Sequence, residues 1–454
     1  MKIKNTKALG EKPIGTLLLQ QAVPASIGIL VMSLNVLVDS IFIGNWLGSL
    51  AMAAINVVLP VSFFIAAIGL SVGIGGASVL SRALGNDDSQ KAIRVFGNQI
   101  SITLLSVVTL TGIGLFFSDS LVTVFGGKGS IFQLAKDYYQ IVLYGVPILA
   151  INMMFNNVLR AEGKPKYAMI SMIIPSVSNL LFDYIFINQM NLGMKGAAWA
   201  TTISYILCFS YLFIVFAVKS ELRITVNSLI LDTKITKEIL ALGGTTFARQ
   251  ATVSFVYFVV NNIIIGLEGE LGVTVYAIVS RLLMFIMFPI IGVTQGFLPI
   301  AAYNFGAKKY DRIKQVVTKA ITYAGVLGLI IFSVIMLLSY EIGGLFISNS
   351  DPYQTTELLD KTALAIRITF CMVPIVPVQL IGAAYYQAIG KALPAFLLTL
   401  SRQGIFLIPT LFILSYQYGF LGVWLAFPIS DLLSTLITAF FVWRDVFKKK
   451  YISN

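Results

Sequence analysis

The chain has no histidine among its 454 residues, which removes the usual near-neutral proton relay and the commonest transition-metal ligand. It has only two cysteines, Cys208 and Cys371. Both fall within apolar stretches, which excludes a disulfide framework or a zinc site and makes them packing residues. Charge is scarce: 11% of residues are charged, against about 25% in soluble domains. No Gly-x-x-x-x-Gly-Lys-Ser/Thr loop is present, so ATP-driven pumping within this chain has no support, and no cofactor is expected. Lys2, Lys4, Lys7 and Lys12 precede the first apolar segment without a short apolar region ending in a small-residue cleavage site, so they read as a retained cytoplasmic tail. Nothing resembles an organellar address, and the expected location is a bacterial or archaeal plasma (inner) membrane.

What is present is apolar: 57% hydrophobic residues and a mean hydropathy of +0.87 describe a polytopic membrane protein. The net charge of +12 does not point to nucleic acid, because the basic residues sit in short clusters between apolar runs. Apolar runs of at least about 18 residues give twelve spans. The first six are Leu17 to Ile43, Leu50 to Leu84, Arg94 to Phe117, Ile131 to Arg160, Lys166 to Ile187 and Gly193 to Val218. The second six are Ile235 to Ile265, Leu271 to Phe305, Ile313 to Leu338, Asp360 to Ile389, Leu393 to Leu414 and Phe420 to Val442. Breaks after even spans are basic: Arg82, Lys91 and Arg94; Arg160, Lys164 and Lys166; Lys219, Arg223, Lys234 and Lys237; Lys308, Lys309, Arg312 and Lys314. Breaks after odd spans are neutral or acidic, with Glu268, Glu270, Glu341, Asp351, Glu357 and Asp360. With Lys448, Lys449 and Lys450 at the end, both termini are expected in the cytoplasm.

The halves repeat. Leu84-Gly85 through Val95 has the spacing of Phe305-Gly306 through Val316, and Pro147 to Gly163-Lys164 that of Pro374 to Gly390-Lys391. The Gly196-Ala197 run with Ala200, Ile203 and Ser204 likewise matches Gly422-Val423 with Ala426, Ile429 and Ser430. Six spans per half make the repeat parallel. The expected architecture is all-α: an integral membrane protein of twelve transmembrane helices in two pseudo-symmetric six-helix bundles. The lobes are residues 1–218 and 238–454, with a cytoplasmic linker at 219–237.

Two mid-span carboxylates stand out, Asp39 and Asp183, each with an asparagine four residues upstream, Asn35 and Asn179. An acid at membrane depth costs about 2.5 to 3.5 kcal/mol on insertion scales, so it faces a polar cavity or a partner and handles ions or protons. The i, i+4 spacing puts each amide on the face of its carboxyl, within hydrogen-bonding range. Bringing a carboxyl to titrate near neutral pH takes about 4 kcal/mol, which burial can supply. The oxygens of Asp39, Asn179, Asp183 and Thr201 suit Na⁺ equally, so the residues leave H⁺ and Na⁺ open. Asn152, Asn156 and Asn157 add polar density to span 4, although Asn152 and Asn157 read equally as helix glue. Asn35, Asn152, Met153, Asn157, Met284 and Met287 are candidates for the wall of an adaptable substrate cavity, though ordinary packing accounts for methionine as well. By the repeat, Asp39 aligns with Asn261 and Asp183 falls opposite Thr410, so the carboxylate pair belongs to the first half alone. Arg402 and Asp431 read as a structural ion pair, and Arg249, Arg281 and Arg367 receive no role. Pro24, Pro147, Pro175, Pro289, Pro299, Pro374 and Pro377 are expected kinks.

Together, Asn35-Val-Leu-Val-Asp39-Ser-Ile-Phe-Ile-Gly44 and Leu159-Arg-Ala-Glu-Gly-Lys-Pro165 followed by Asn179 and Asp183-Tyr-Ile-Phe-Ile187 resemble the multidrug and toxic compound extrusion (MATE) transporters over nearly the whole chain. The likeness is to the DinF-like and MepA-like members, since spans 7 and 10 lack the core acids of the NorM-like branch. The resemblance implies that Tyr138, Asn156 and Thr201 join Asp39, Asn179 and Asp183 in a coupling network. It also implies a secondary antiporter, not an enzyme, that exports amphipathic, often cationic small molecules as a functional monomer in the lipid bilayer. A flippase for lipid-linked saccharides of the same superfamily is the alternative. An intramembrane aspartyl protease is disfavoured because Asp39 follows Val38 and Asp183 follows Phe182.

Overall fold

The structure, a computed structural model, describes residues 5–347 and 352–448; Lys2, Lys4, Asp351, Lys449 and Lys450 lie outside the described residues. Every regular element among the described residues is helical. The spanning helices are α1 (Ile14–Leu47), α2 (Ser49–Gly85), α3 (Ser89–Phe116), α4 (Ser130–Ala161), α5 (Pro165–Asp183) and α6 (Gly193–Lys219). A continuous helical stretch, Thr233–Gly306, turns back at Gly269 and so contains α7 (233–268) and α8 (270–306). After α9 (Tyr310–Gly344), α10 comes in two pieces, Pro352–Phe370 and Val376–Ala388. The last pair, α11 (392–418) and α12 (420–448), is parted at Gly419. These are the twelve expected spans; most run past their apolar cores because the polar flanks continue the helix, whereas regular α5 stops at Asp183 and α10 is interrupted at 371–375.

The turns repeat as the sequence does. Gly269 and Gly419 hold φ of 60° and 57° in the tight reversals α7–α8 and α11–α12, where a side chain on that backbone would be strained. Their counterparts Gly48 and Gly193 hold φ of 84° and 58°. Helix α4 closes with Gly163 N–H donating to Arg160 O and Lys164 N–H to Leu159 O, at 3.0 and 2.9 Å. The same closure recurs at Gly390 and Lys391, at 3.3 and 2.9 Å.

The prolines divide into two groups. Pro24, Pro147, Pro175, Pro289 and Pro299 sit inside continuous helices, whereas Pro374 and Pro377 flank the interruption of α10. Large apolar side chains face outward, with Phe116 82% and Leu337 78% exposed, which suits hydrocarbon solvent. Inside, small residues let backbones approach: a Cβ on Gly69 of α2 would collide with the backbone of Ala150 on α4.

The chain forms two compact units. The first holds residues up to Glu11, Ile27–Phe247 and Gly306–Lys308; the second holds Lys12–Ser26, Ala248–Phe305 and the chain from Lys309 onward. Helix α1 is therefore divided between them, two residues after Pro24. The charged stretch 219–237 belongs to the first unit and is strapped to α3. Buried Asn98 donates its amide to Ile230 O at 3.1 Å and accepts from Asp232 N–H at 2.8 Å, while Ser101 donates to Leu229 O at 2.6 Å.

Candidate functional site

The site lies in the first unit, where α1, α4, α5 and α6 bring polar side chains together. Asp183 ends the regular part of α5 and is 0% exposed; a π-helical turn, Tyr184–Gln189, follows at once. Asp183 itself keeps α-helical backbone angles, φ −60° and ψ −46°, and π turns concentrate at functional positions. Neither carboxyl oxygen of Asp183 receives an N–H or O–H donor from a described residue. Its polar neighbour is the half-buried carboxyl of Asp39, within hydrogen-bonding reach. Two carboxyls can hydrogen-bond to each other only when one holds a proton, and a monovalent cation between them supplies the same neutralisation.

Around the pair, Asn35 donates its amide to Asn179 Oδ1 at 2.9 Å and to Ser176 O at 3.1 Å. The two asparagines thus brace α1 to α5, where the i, i+4 spacing had suggested that each would bond its own carboxyl. Asn179 Nδ2 in turn lies 3.5 Å from Thr201 Oγ1 on α6. The Tyr138 hydroxyl reaches Thr201 from α4 and feels the charge of Asp39. The site therefore joins Asp39, Asn179, Asp183, Thr201 and Tyr138. Tyr205, four residues beyond Thr201 and so on the same face of α6, is within electrostatic reach of Asp39. Sequence reasoning missed it, and that spacing from Thr201 was the available signal.

Asn156 is not brought to the pair. It donates to Ala168 O at 2.6 Å and Ser171 Oγ at 2.9 Å, and accepts from Arg160 Nε at 3.0 Å, tying α4 to the start of α5. Asn152 is buried and donates to Tyr205 O at 2.9 Å, and Asn157 donates to Met153 O on its own helix at 2.9 Å. Met153 is half-buried on the same helix. Met284 and Met287 are on α8 in the second unit, 49% and 5% exposed. No group of three or more acidic or cysteine side chains able to hold a metal occurs among the described residues. For Na⁺, the donors at hand are the two carboxyls, Thr201 Oγ1 and Asn179 Oδ1, the last already accepting from Asn35.

The second unit carries charge of another kind. Arg402 Nε stands 2.6 Å from Asp431 Oδ1, and the Ser430 hydroxyl donates to Arg402 O. This ion pair ties α11 to α12 at another π-helical turn, Ser401–Leu407.

The duplicated architecture agrees with the sequence comparison: the family described as MatE matches residues 24–185 and again residues 246–413. The chain belongs to the MatE family. Among characterised relatives of this MATE-family transporter, the multidrug export protein MepA of Staphylococcus aureus is 26% identical over 437 residues, covering 95% of this chain and 94% of that protein. Among solved structures, a multidrug resistance MATE family transporter of the MOP superfamily in an outward-facing conformation superposes with a TM-score of 0.90 at 26% identity, over 98% of each chain. A MOP superfamily transporter from Pyrococcus furiosus, for which a reverse polarity of the binding pocket suggests a different function, superposes with a TM-score of 0.89 at 26% identity, over 98% of each chain.

Proposed function

We propose that this MATE transporter is a secondary antiporter that exports amphipathic, often cationic small molecules in exchange for H⁺ or Na⁺. The observation that carries this reading is Asp183, a fully buried acid without a protein donor, set against the carboxyl of Asp39. A structural acid would be satisfied by a cation or by N–H groups, whereas this pair is completed by an ion that arrives and leaves. Each elementary charge moving inward supplies about 2.3 kcal/mol per 100 mV. The relative MepA, a multidrug export protein by name, supports the substrate class.

In this mechanism the ion neutralises the Asp39–Asp183 pair and shifts the balance between outward- and inward-open forms. Helix α1 carries the change, because it bears Asp39 in the first unit and passes to the second unit near Pro24, where a backbone hydrogen bond is missing. The transporter works as a monomer in the plasma membrane with both termini in the cytoplasm. The test is substrate efflux from proteoliposomes under separately imposed H⁺ and Na⁺ gradients, comparing wild type with Asp39→Asn and Asp183→Asn. At least one gradient drives efflux in the wild type, and either substitution uncouples it. Gradient-driven efflux that persists unchanged in both variants overturns the assignment.

A further inference from the structure

The second unit, which does not contain the carboxyl pair, has a wholly aliphatic cavity of about 250 Å³ between α8, α9 and α10. Its walls include Leu282 and Ile286 of α8, Ile335 and Ile342 of α9, and Ile366 of α10. Helix α9 departs from helical geometry at Leu338, with φ −112° and ψ 22°, between the two isoleucines that line the cavity. The cavity is partly open, and Val334, which also lines it, is 46% exposed.

One cation borders this apolar space. Arg367, next to Ile366 on α10, is exposed and donates from Nε to Ser339 Oγ at 2.6 Å. Ser339 lies four residues after Ile335 and three before Ile342, so the guanidinium is fixed at the cavity wall. Arg367 pairs with no carboxylate among the described residues. A guanidinium within a membrane span is costly without an anion, and neither Ser339 nor the aliphatic walls supply one. Water does not fill such a space either, because nothing lining it can hydrogen-bond.

We propose that this groove is a binding site for an anionic phospholipid of the surrounding bilayer, with an acyl chain in the aliphatic cavity and the phosphate held by Arg367. Guanidinium matches phosphate oxygens in a two-pronged geometry, and the apolar walls suit a methylene chain. The site is independent of the transport reading, since all its residues belong to the second unit, whereas Asp39 and Asp183 belong to the first.

Native mass spectrometry of the full-length protein, equilibrated in detergent with equal phosphatidylglycerol and phosphatidylcholine, tests it. Wild type retains phosphatidylglycerol in preference, by roughly fivefold, and Arg367→Gln abolishes most of that preference, the scale of one basic residue on an anionic lipid. Arg367→Lys keeps most of the preference, while Val334→Phe, which fills the groove from a partly exposed position, lowers retention of phosphatidylglycerol with Arg367 intact. Equal retention of both lipids, or a preference untouched by all these substitutions, overturns the proposal. Fluorescent phosphatidylglycerol moved between leaflets by wild type but not by Asp39→Asn also overturns it, because the lipid would then be cargo and not a resident ligand.

Discussion

Asn35 on α1 and Asn179 on α5 are joined by an amide–amide hydrogen bond of 2.9 Å, one helical turn from each of the two carboxyls that face one another. The bond fixes where α1 sits against α5 and so sets the separation of Asp39 and Asp183.

Breaking this brace is expected to loosen the ion site before it unfolds the protein. Asn35→Ala leaves Asn179 Oδ1 and Ser176 O without their shared donor, a cost of about 1 to 3 kcal/mol. Thermal unfolding in detergent should fall by only a few degrees, while gradient-driven efflux drops by at least tenfold.

Asp183→Asn is expected to separate stability from activity. The acid it replaces receives no protein donor, so the neutral amide removes a buried charge without breaking any hydrogen bond to a donor. The unfolding temperature should be no lower than that of wild type while ion-driven transport is lost. A sharply lower unfolding temperature would mean that the carboxylate has a structural partner.

Tyr205→Phe removes one hydroxyl near Asp39 and leaves the ring, and Asn152 keeps its bond because it is made to the Tyr205 backbone. A folded protein with an altered ion dependence of efflux is the expected outcome, measured as the ion concentration giving half-maximal rate. An unchanged dependence would place Tyr205 outside the coupling network.

The Arg402–Asp431 pair is expected to behave in the opposite way. Arg402→Leu strands an acid that is 6% exposed and should cost about 3 kcal/mol or more. Adding Asp431→Leu should recover most of that loss, and efflux by the double variant should remain ion-driven. A double-mutant cycle on unfolding free energies reads the coupling directly.

Asn98→Leu should free the strap between the lobes' sequences. Its amide oxygen and nitrogen serve Asp232 N–H and Ile230 O, and these would be left unpaired. Limited proteolysis between residues 220 and 232 should accelerate by about an order of magnitude, against a cost of about 1 to 3 kcal/mol.

Much of this architecture was legible in the sequence because the bilayer imposes a length and a polarity on each span, and because a duplicated chain repeats its own turns. Gly163 and Gly390 stand at the same offset from Pro147 and Pro374 and close their helices with the same two hydrogen bonds. The carboxyl pair was legible too, since an acid in an apolar run has few structural uses. Partner choice was not. Spacing places Asn35 on the face of Asp39 but cannot say that its amide crosses to Asn179, and a motif shared with relatives does not reveal that Asn156 turns toward Ser171. The attachment of 219–237 to α3 depends on Asn98, more than 120 residues upstream, and no local pattern encodes contacts of that range.

The two halves descend from one plan yet treat a mid-span acid in contrasting ways. Asp431 is born with its counter-charge attached, so a gradient of small ions finds nothing there to exchange with. Asp183 has no such companion among the described residues, and in the proposed antiport its charge is balanced from outside. In the proposed antiport, energy stored across the bilayer enters through the first bundle, and the second is left to serve as its wall.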